Sequence, residues 1–70
     1  MTPSLYDQCA AHCYLYYVEN RPVLSDYDYD ILERQLEATG VRPPVHSDLR
    51  DSYTDAQIEL AGRYAKGLES

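Results

Sequence analysis

The stretch Tyr14-Leu-Tyr-Tyr-Val-Glu-Asn-Arg-Pro-Val-Leu-Ser-Asp-Tyr-Asp-Tyr-Asp30 decides how this chain folds. It gathers five of the eight tyrosines and four of the twelve acidic residues. Pro22 disfavours helical geometry at Arg21 and removes a backbone donor, so residues 19–24 break a helix. Ser25 then reads as the N-cap of a new helix, with Asp28 three residues on as a short capping box and Val23 or Leu24 as the staple. Asp26, Asp28 and Asp30 fall in the first turns, where the helix dipole favours negative charge. The alternation of Asp and Tyr over 26–30 also fits a strand, but the cap and the Ile31, Leu32, Leu36 pattern outweigh that reading. Asp30 and Arg34 form a favourable four-apart pair. Gly40 is placed as the C-cap, and Val41-Arg-Pro-Pro-Val45 prevents any continuation.

Upstream, Thr2 and Pro3 form a good cap and first-turn pair, so a first helix is expected from there through Val18. Leu5, Cys9, His12 or Cys13, and Tyr16 follow helical spacing, and a second stripe runs Ala11, Tyr14, Leu15, Val18. Such a helix is apolar around most of its circumference. It is either buried on several sides or shares a face with a ligand or partner. Downstream, residues 41–53 read as a loop with Pro43-Pro44 and a short turn at Ser47–Arg50. A third helix starts at Ser52 or Thr54, whose box partners are Asp55 and Gln57. Its apolar side is Ile58, Ala61, Tyr64, Ala65 and Leu68, with Glu59 and Arg63 paired on the surface. Gly62 would allow close approach to another helix, and Gly67 would end this one. The expected fold is all-α: one three-helix domain over 1–70, built on a helical hairpin of about 3–40 with a third helix at about 54–67.

Fourteen Ile, Leu and Val residues with no Phe or Trp support only a thin core at this length, so a homodimer or another packing partner is expected. Eight tyrosines without a single Phe point to interfaces and half-wet pockets, since Tyr joins a ring to a polar tip. The net charge is −6, with six basic residues scattered as Arg21, Arg34, Arg42, Arg50, Arg63 and Lys66. That pattern excludes direct binding to a nucleic-acid backbone and suits a partner with a basic surface.

Cys9 and Cys13 sit four apart on a helix, where an unstrained disulfide is rarely possible, and read as reduced apolar residues of a cytoplasmic protein. Cys9, His12 and Cys13, with His46 as a distant fourth, match no zinc spacing, so no metal is expected. Asp26, Asp28, Asp30 and Glu37 mimic calcium-loop positions, but Ile31 stands where that loop needs Gly, and calcium is rejected. No signal peptide, membrane-spanning run or lipidation motif is apparent, which fits a cytoplasmic location without membrane contact.

The run from His12 to Leu32 resembles the N-terminal (Ia) domain of bacterial NAD-dependent DNA ligases. That domain carries a Tyr-Tyr or Tyr-His pair, a Pro turn, and Ser-Asp-x-Glu-Tyr-Asp at the start of the next helix. The likeness covers about residues 10–36, with Asp28 in place of the usual Glu, and fades after Gly40. In the ligases this domain closes over NAD and holds its nicotinamide mononucleotide half. Carried over by position, the resemblance implies contacts from Tyr16, Tyr17, Asp26, Tyr29 and Asp30. Ring faces would stack on a cationic pyridinium, and carboxylates would accept bonds from ribose hydroxyls.

No lysine nucleophile in a Lys-x-Asp-Gly setting is present; Lys66, in Lys-Gly-Leu, is the one lysine. Catalysis by this chain alone is therefore not expected. Two functions follow. The first is a non-catalytic interaction module that uses the Tyr/Asp surface to occlude a host protein such as a DNA-binding regulator. By size and charge the chain is similar to small phage-encoded anti-activators, which would place it in a host cytoplasm. The alternative is capture of NAD or nicotinamide mononucleotide beside a separately encoded ligase. The first is ranked ahead, because a lone ligase-type domain lacks the second surface that grips the nucleotide.

Overall fold

The computed structural model describes residues 4–68 and, among them, three α-helices and two short helical turns: α1 (Leu5–Cys13), a π-helical turn (Tyr14–Val18), α2 (Asp26–Ala38), a 3₁₀ turn (Arg50–Ser52) and α3 (Asp55–Leu68). Helix α1 is capped by Ser4, whose hydroxyl accepts from the Asp7 amide at 3.1 Å. The expected Thr2-Pro3 start lies outside the described residues, and the observed cap is the one that precedes Leu5. A serine with extended backbone and an acidic residue three positions on meets the same requirement.

The first helix does not run as a plain α-helix to Val18. After Cys13 the backbone widens, and the Glu19 amide bonds the Tyr14 carbonyl at 3.1 Å, an i→i−5 link. The segment then turns through Asn20 with φ 55°, a conformation that Asn tolerates better than most residues. The Arg21 amide returns to the Leu15 carbonyl at 2.7 Å, which closes the helix end just before Pro22.

Helix α2 begins as the sequence requires: Ser25 is extended and its hydroxyl accepts from the Asp28 amide at 3.2 Å. It ends at Thr39, followed by Gly40 with φ 85°, whose amide bonds the Glu37 carbonyl at 2.9 Å. Glycine occupies that left-handed position without a Cβ penalty. For α3, Thr54 rather than Ser52 is the cap. Its hydroxyl accepts from the Gln57 amide at 3.1 Å while Gln57 Oε1 accepts from the Thr54 amide at 3.0 Å, a complete reciprocal box.

Helix α1 is the central element, packed on both α2 and α3, while α3 also packs on the π turn. The core joins Ala10, Ala11, Cys13, Tyr14 and Leu15 to Tyr53 and Ala61, with Ile58, Leu60, Tyr64 and Ala65 of α3 half-buried against it. Small residues on α1 and α3 bring the two helices together, and Gln57 Nε2, buried at the junction, donates to Asp7 Oδ1 at 3.0 Å. Tyr14 and Tyr53 meet edge to face at 5.5 Å, and the Tyr53 hydroxyl donates to the Ser47 carbonyl at 2.6 Å.

Two expectations are corrected, the turn and Gly62. The turn foreseen at Ser47–Arg50 forms at Arg50–Ser52, because Ser47 instead braces the loop through Ser52 Oγ at 2.8 Å. Gly67 is the last residue but one of α3 among the described residues. A Cβ built on Gly62 meets nothing within 4 Å, so that glycine serves no close helix approach. No helix among the described residues is long and apolar enough to cross a membrane.

Candidate functional site

The π turn sets the geometry of the candidate site. Because the turn holds an extra residue, neighbouring side chains are spread less around the axis than in an α-helix, and Tyr16 and Tyr17 stay on one side of the chain. Their rings meet edge to face at 4.8 Å, and both remain open to solvent, with exposures of 42% and 39%. Tyr14 and Leu15, from the same turn, point into the core. One turn of backbone therefore serves the core with two residues and the surface with the next two.

Across the hairpin, the capped start of α2 presents Asp26, Tyr29, Asp30 and Glu33. With Tyr16, Tyr17, His12, Pro22, Val23, Leu24 and His46 they line one open cavity of about 330 Å³. All five residues implied by the sequence, Tyr16, Tyr17, Asp26, Tyr29 and Asp30, are brought together here. That volume lies at the lower end of the range for small-ligand sites. Rings form the walls, and carboxylates stand at the α2 side. Asp30 also pairs with Arg34 at 3.1 Å on the exposed face of α2.

Tyr29 is the half-buried base of the site. Its hydroxyl lies 2.7 Å from Cys13 Sγ, with either group able to donate. Burial, the bond to Cys13 and the Glu33 carboxylate push the Tyr29 phenol far above its ordinary range, so it stays protonated. Burial likewise raises the Cys13 thiol, and lifts Cys9 to about 11 with help from Cys13 and Glu33. Both cysteines are free and buried. His12 stacks on Tyr64 of α3 at 4.6 Å between centroids, nearly parallel. Burial lowers its pKa and keeps the ring neutral, and its Nδ1 is buried with no hydrogen-bond partner.

Sequence reasoning missed His46 and Glu33. His46 comes from the loop after α2 and stacks on Tyr17 at 5.3 Å with a 20° tilt, while its edge meets Tyr29 at 5.9 Å. Its Nδ1 lies 3.4 Å from the Tyr17 hydroxyl, and its Nε2 lies 3.4 Å from the Tyr29 hydroxyl and 3.3 Å from Glu33 Oε2. Glu33 had a findable signal, since it stands one helical turn beyond Asp30 on the same flank of α2. His46 had none, because loop 41–49 has no periodicity from which to project a contact.

Fold and site together define a small helical module with an open cavity lined by rings and carboxylates. A family model described as "DNA ligase-like, N-terminal NAD+-binding domain" matches residues 2–54, and the chain belongs to that family. The match runs well past Gly40, where the likeness was expected to fade, and takes in the loop that carries His46. The DNA ligases of two strains of Leptospira interrogans serogroup Icterohaemorrhagiae, serovars copenhageni and Lai, are similar to it. Each is 44% identical over 45 residues, or 64% of this chain. The chain spans 7% of the length of these curated relatives. No solved structure matches the chain closely enough to count.

Proposed function

We propose that this chain is a non-catalytic nicotinamide-nucleotide-binding module, which holds the nicotinamide mononucleotide half of NAD for a ligase polypeptide that carries the adenylation chemistry. The observation that carries the reading is the convergence of Tyr16, Tyr17, Asp26, Tyr29 and Asp30 on one cavity of about 330 Å³. Membership of a family described by NAD+ binding supports it. A pyridinium ring is a delocalised cation, which the faces of tyrosine rings attract through their quadrupole. Carboxylates beside it offset its charge and accept bonds from the ribose hydroxyls. This ordering reverses the one drawn from sequence, because a concave site of this size suits a small ligand better than it suits the anchors of a flat protein interface.

Calorimetric titration with nicotinamide mononucleotide and NAD tests the reading. Saturable binding that Tyr16→Ala and Asp30→Ala each abolish is the expected result. No heat from either ligand at millimolar concentration would overturn it.

The occlusion reading comes second. It draws on the same open tyrosines and on the net charge of −6, which suit a basic protein surface. Val45 and Leu49, at 81% and 64% exposure, add apolar area on the neighbouring loop, and the homodimer is proposed on that basis. Sedimentation across a concentration series tests the dimer, and a monomer at high micromolar concentration would end it.

A further inference from the structure

Nicotinamide mononucleotide carries opposite charges at its two ends, a pyridinium ring and a 5′-phosphate. The cavity provides well for only one of them. Its carboxylates are Asp26, Asp30 and Glu33, and among the described residues no lysine or arginine lines it. Arg34 holds the Asp30 carboxylate from the exposed face of α2 and is not part of the lining. A phosphate brought into this field meets like charge at short range, and that repulsion is strong where water is partly excluded. Two imidazoles stand in the lining beside these carboxylates. His12 is kept neutral by burial. His46 is the other, half-exposed and held by contacts of 3.3–3.4 Å to three different groups.

The loop delivers that imidazole to a fixed place. On one side Pro44 is buried; on the other Ser47 is bound to Ser52, the Leu49 amide and the Tyr53 hydroxyl. Two anchors three residues apart leave the His46 backbone little freedom. The ring itself is shared among long, weak bonds, so it can reorient toward a ligand without losing a strong partner. Its stack on Tyr17 keeps it at the cavity wall, within reach of the carboxylate side.

Building on the proposed nucleotide site, we propose that His46 is the specificity-determining residue for the 5′-phosphate: the tyrosines and carboxylates read the cationic ring and ribose, and His46 sets how well the phosphate is tolerated. In this assignment the ring is held by the faces of Tyr16, Tyr17 and Tyr29 and by the carboxylates, and His46 gives its edge nitrogens to the phosphate. Its removal therefore shifts the balance between phosphorylated and unphosphorylated ligands more than the affinity for the ring itself.

The experiment compares nicotinamide riboside with nicotinamide mononucleotide by calorimetry on the full chain, in wild type and in three variants. In His46→Ala the ratio of the two dissociation constants is expected to shift about tenfold against the mononucleotide, the size of one charge-assisted hydrogen bond. Riboside affinity should stay within about twofold. His46→Lys, which keeps a donor for the phosphate, should restore the wild-type ratio; His46→Phe, which keeps the stack on Tyr17, should behave like His46→Ala. Equal weakening of both ligands in His46→Ala, or a wild-type ratio in His46→Phe, would overturn the proposal by showing that the ring only braces the wall. Failure of the wild type to bind either ligand would overturn the nucleotide reading itself, and is told apart from the other outcomes because it precedes any variant. Circular dichroism of each variant confirms that the helices are intact.

Discussion

At the junction of α1 and α3 nearly every polar group has a close partner. Gln57 bonds Asp7 at 3.0 Å and exchanges bonds with Thr54 at 3.0 and 3.1 Å, and Tyr53 donates to Ser47 at 2.6 Å. In the cavity between α1 and α2 the Tyr29–Cys13 contact at 2.7 Å is as close, but the other polar groups are more loosely held. His46 spreads its two nitrogens over three contacts of 3.3–3.4 Å, His12 Nδ1 has no partner, and Tyr16 and Tyr17 face solvent. A saturated network fixes structure, whereas an under-satisfied concave one keeps bonding capacity for a ligand. The contrast explains how so short a chain folds around one central helix and still leaves a site open.

The largest expected effect tests the packed region. Leu15 is 2% exposed and belongs to the π turn, so Leu15→Ala should cost about 2–5 kcal/mol, as buried Leu truncations do. At 70 residues that is most or all of the available stability. Tyr16→Ala, one position on and facing the cavity, should change stability by no more than about 0.5 kcal/mol while abolishing nucleotide binding. Urea unfolding and calorimetry on both variants check the split. Comparable losses of stability in the two would mean that the turn does not separate core from site.

Next comes the alkaline limit. The Cys9 thiol is raised from 9.0 to about 11, chiefly by burial, so the folded chain holds this proton more tightly than the unfolded chain. The stability it contributes is fully present below pH 9 and is lost as pH climbs through about 11. Two pKa units correspond to roughly 3 kcal/mol at most, with Cys13 and Tyr29 acting in the same direction. Denaturant midpoints should hold up to about pH 9 and fall from there to pH 11, and Cys9→Ala should flatten part of the slope.

Much of this contrast was legible in the sequence, and the reasons for the rest are local. Ser25, Pro22 and Gly40 announce the hairpin because caps and breakers act through a residue's own backbone preferences. The five cavity residues come from the resemblance to the ligase Ia domain, carried over by position, and not from the hairpin pattern itself. The π turn was not legible, because one extra residue per turn leaves no trace in an apolar run such as Tyr14–Val18. Ser52 and Thr54 are equally good caps on paper, and the choice falls to Thr54 because Gln57 can also reach Asp7 across the junction. His46 depends on Pro44 and Tyr53 anchoring a loop at both ends, a tertiary outcome with no local signature.

A smaller effect should expose the trade between stability and function. His12 leaves Nδ1 buried without a partner, a group whose desolvation is uncompensated. His12→Phe keeps a ring to stack on Tyr64 and removes the orphaned nitrogen, so stability should rise by about 1 kcal/mol. The same change takes a polar group from the cavity wall and should weaken nucleotide binding. Thermal melts paired with titrations decide it: a variant that is both more stable and unchanged in binding would remove His12 from the site.

The smallest stability effect is also the sharpest on the comparison. Arg34 pairs with Asp30 at 3.1 Å, but both side chains are largely exposed, at 77% and 53%. An exposed i,i+4 pair of this kind contributes only about 0.3–0.5 kcal/mol, and salt screens it further. Arg34→Ala should therefore leave the melting curve almost unmoved. Its effect on the cavity is of another kind, because an Asp30 carboxylate released from its partner adds uncompensated negative charge beside the ligand. Nicotinamide riboside, a cation, should bind more tightly to Arg34→Ala, and the gain should shrink as salt is raised. If riboside affinity instead falls, Arg34 positions Asp30 for the ligand and the pair belongs to the site rather than to the surface of α2.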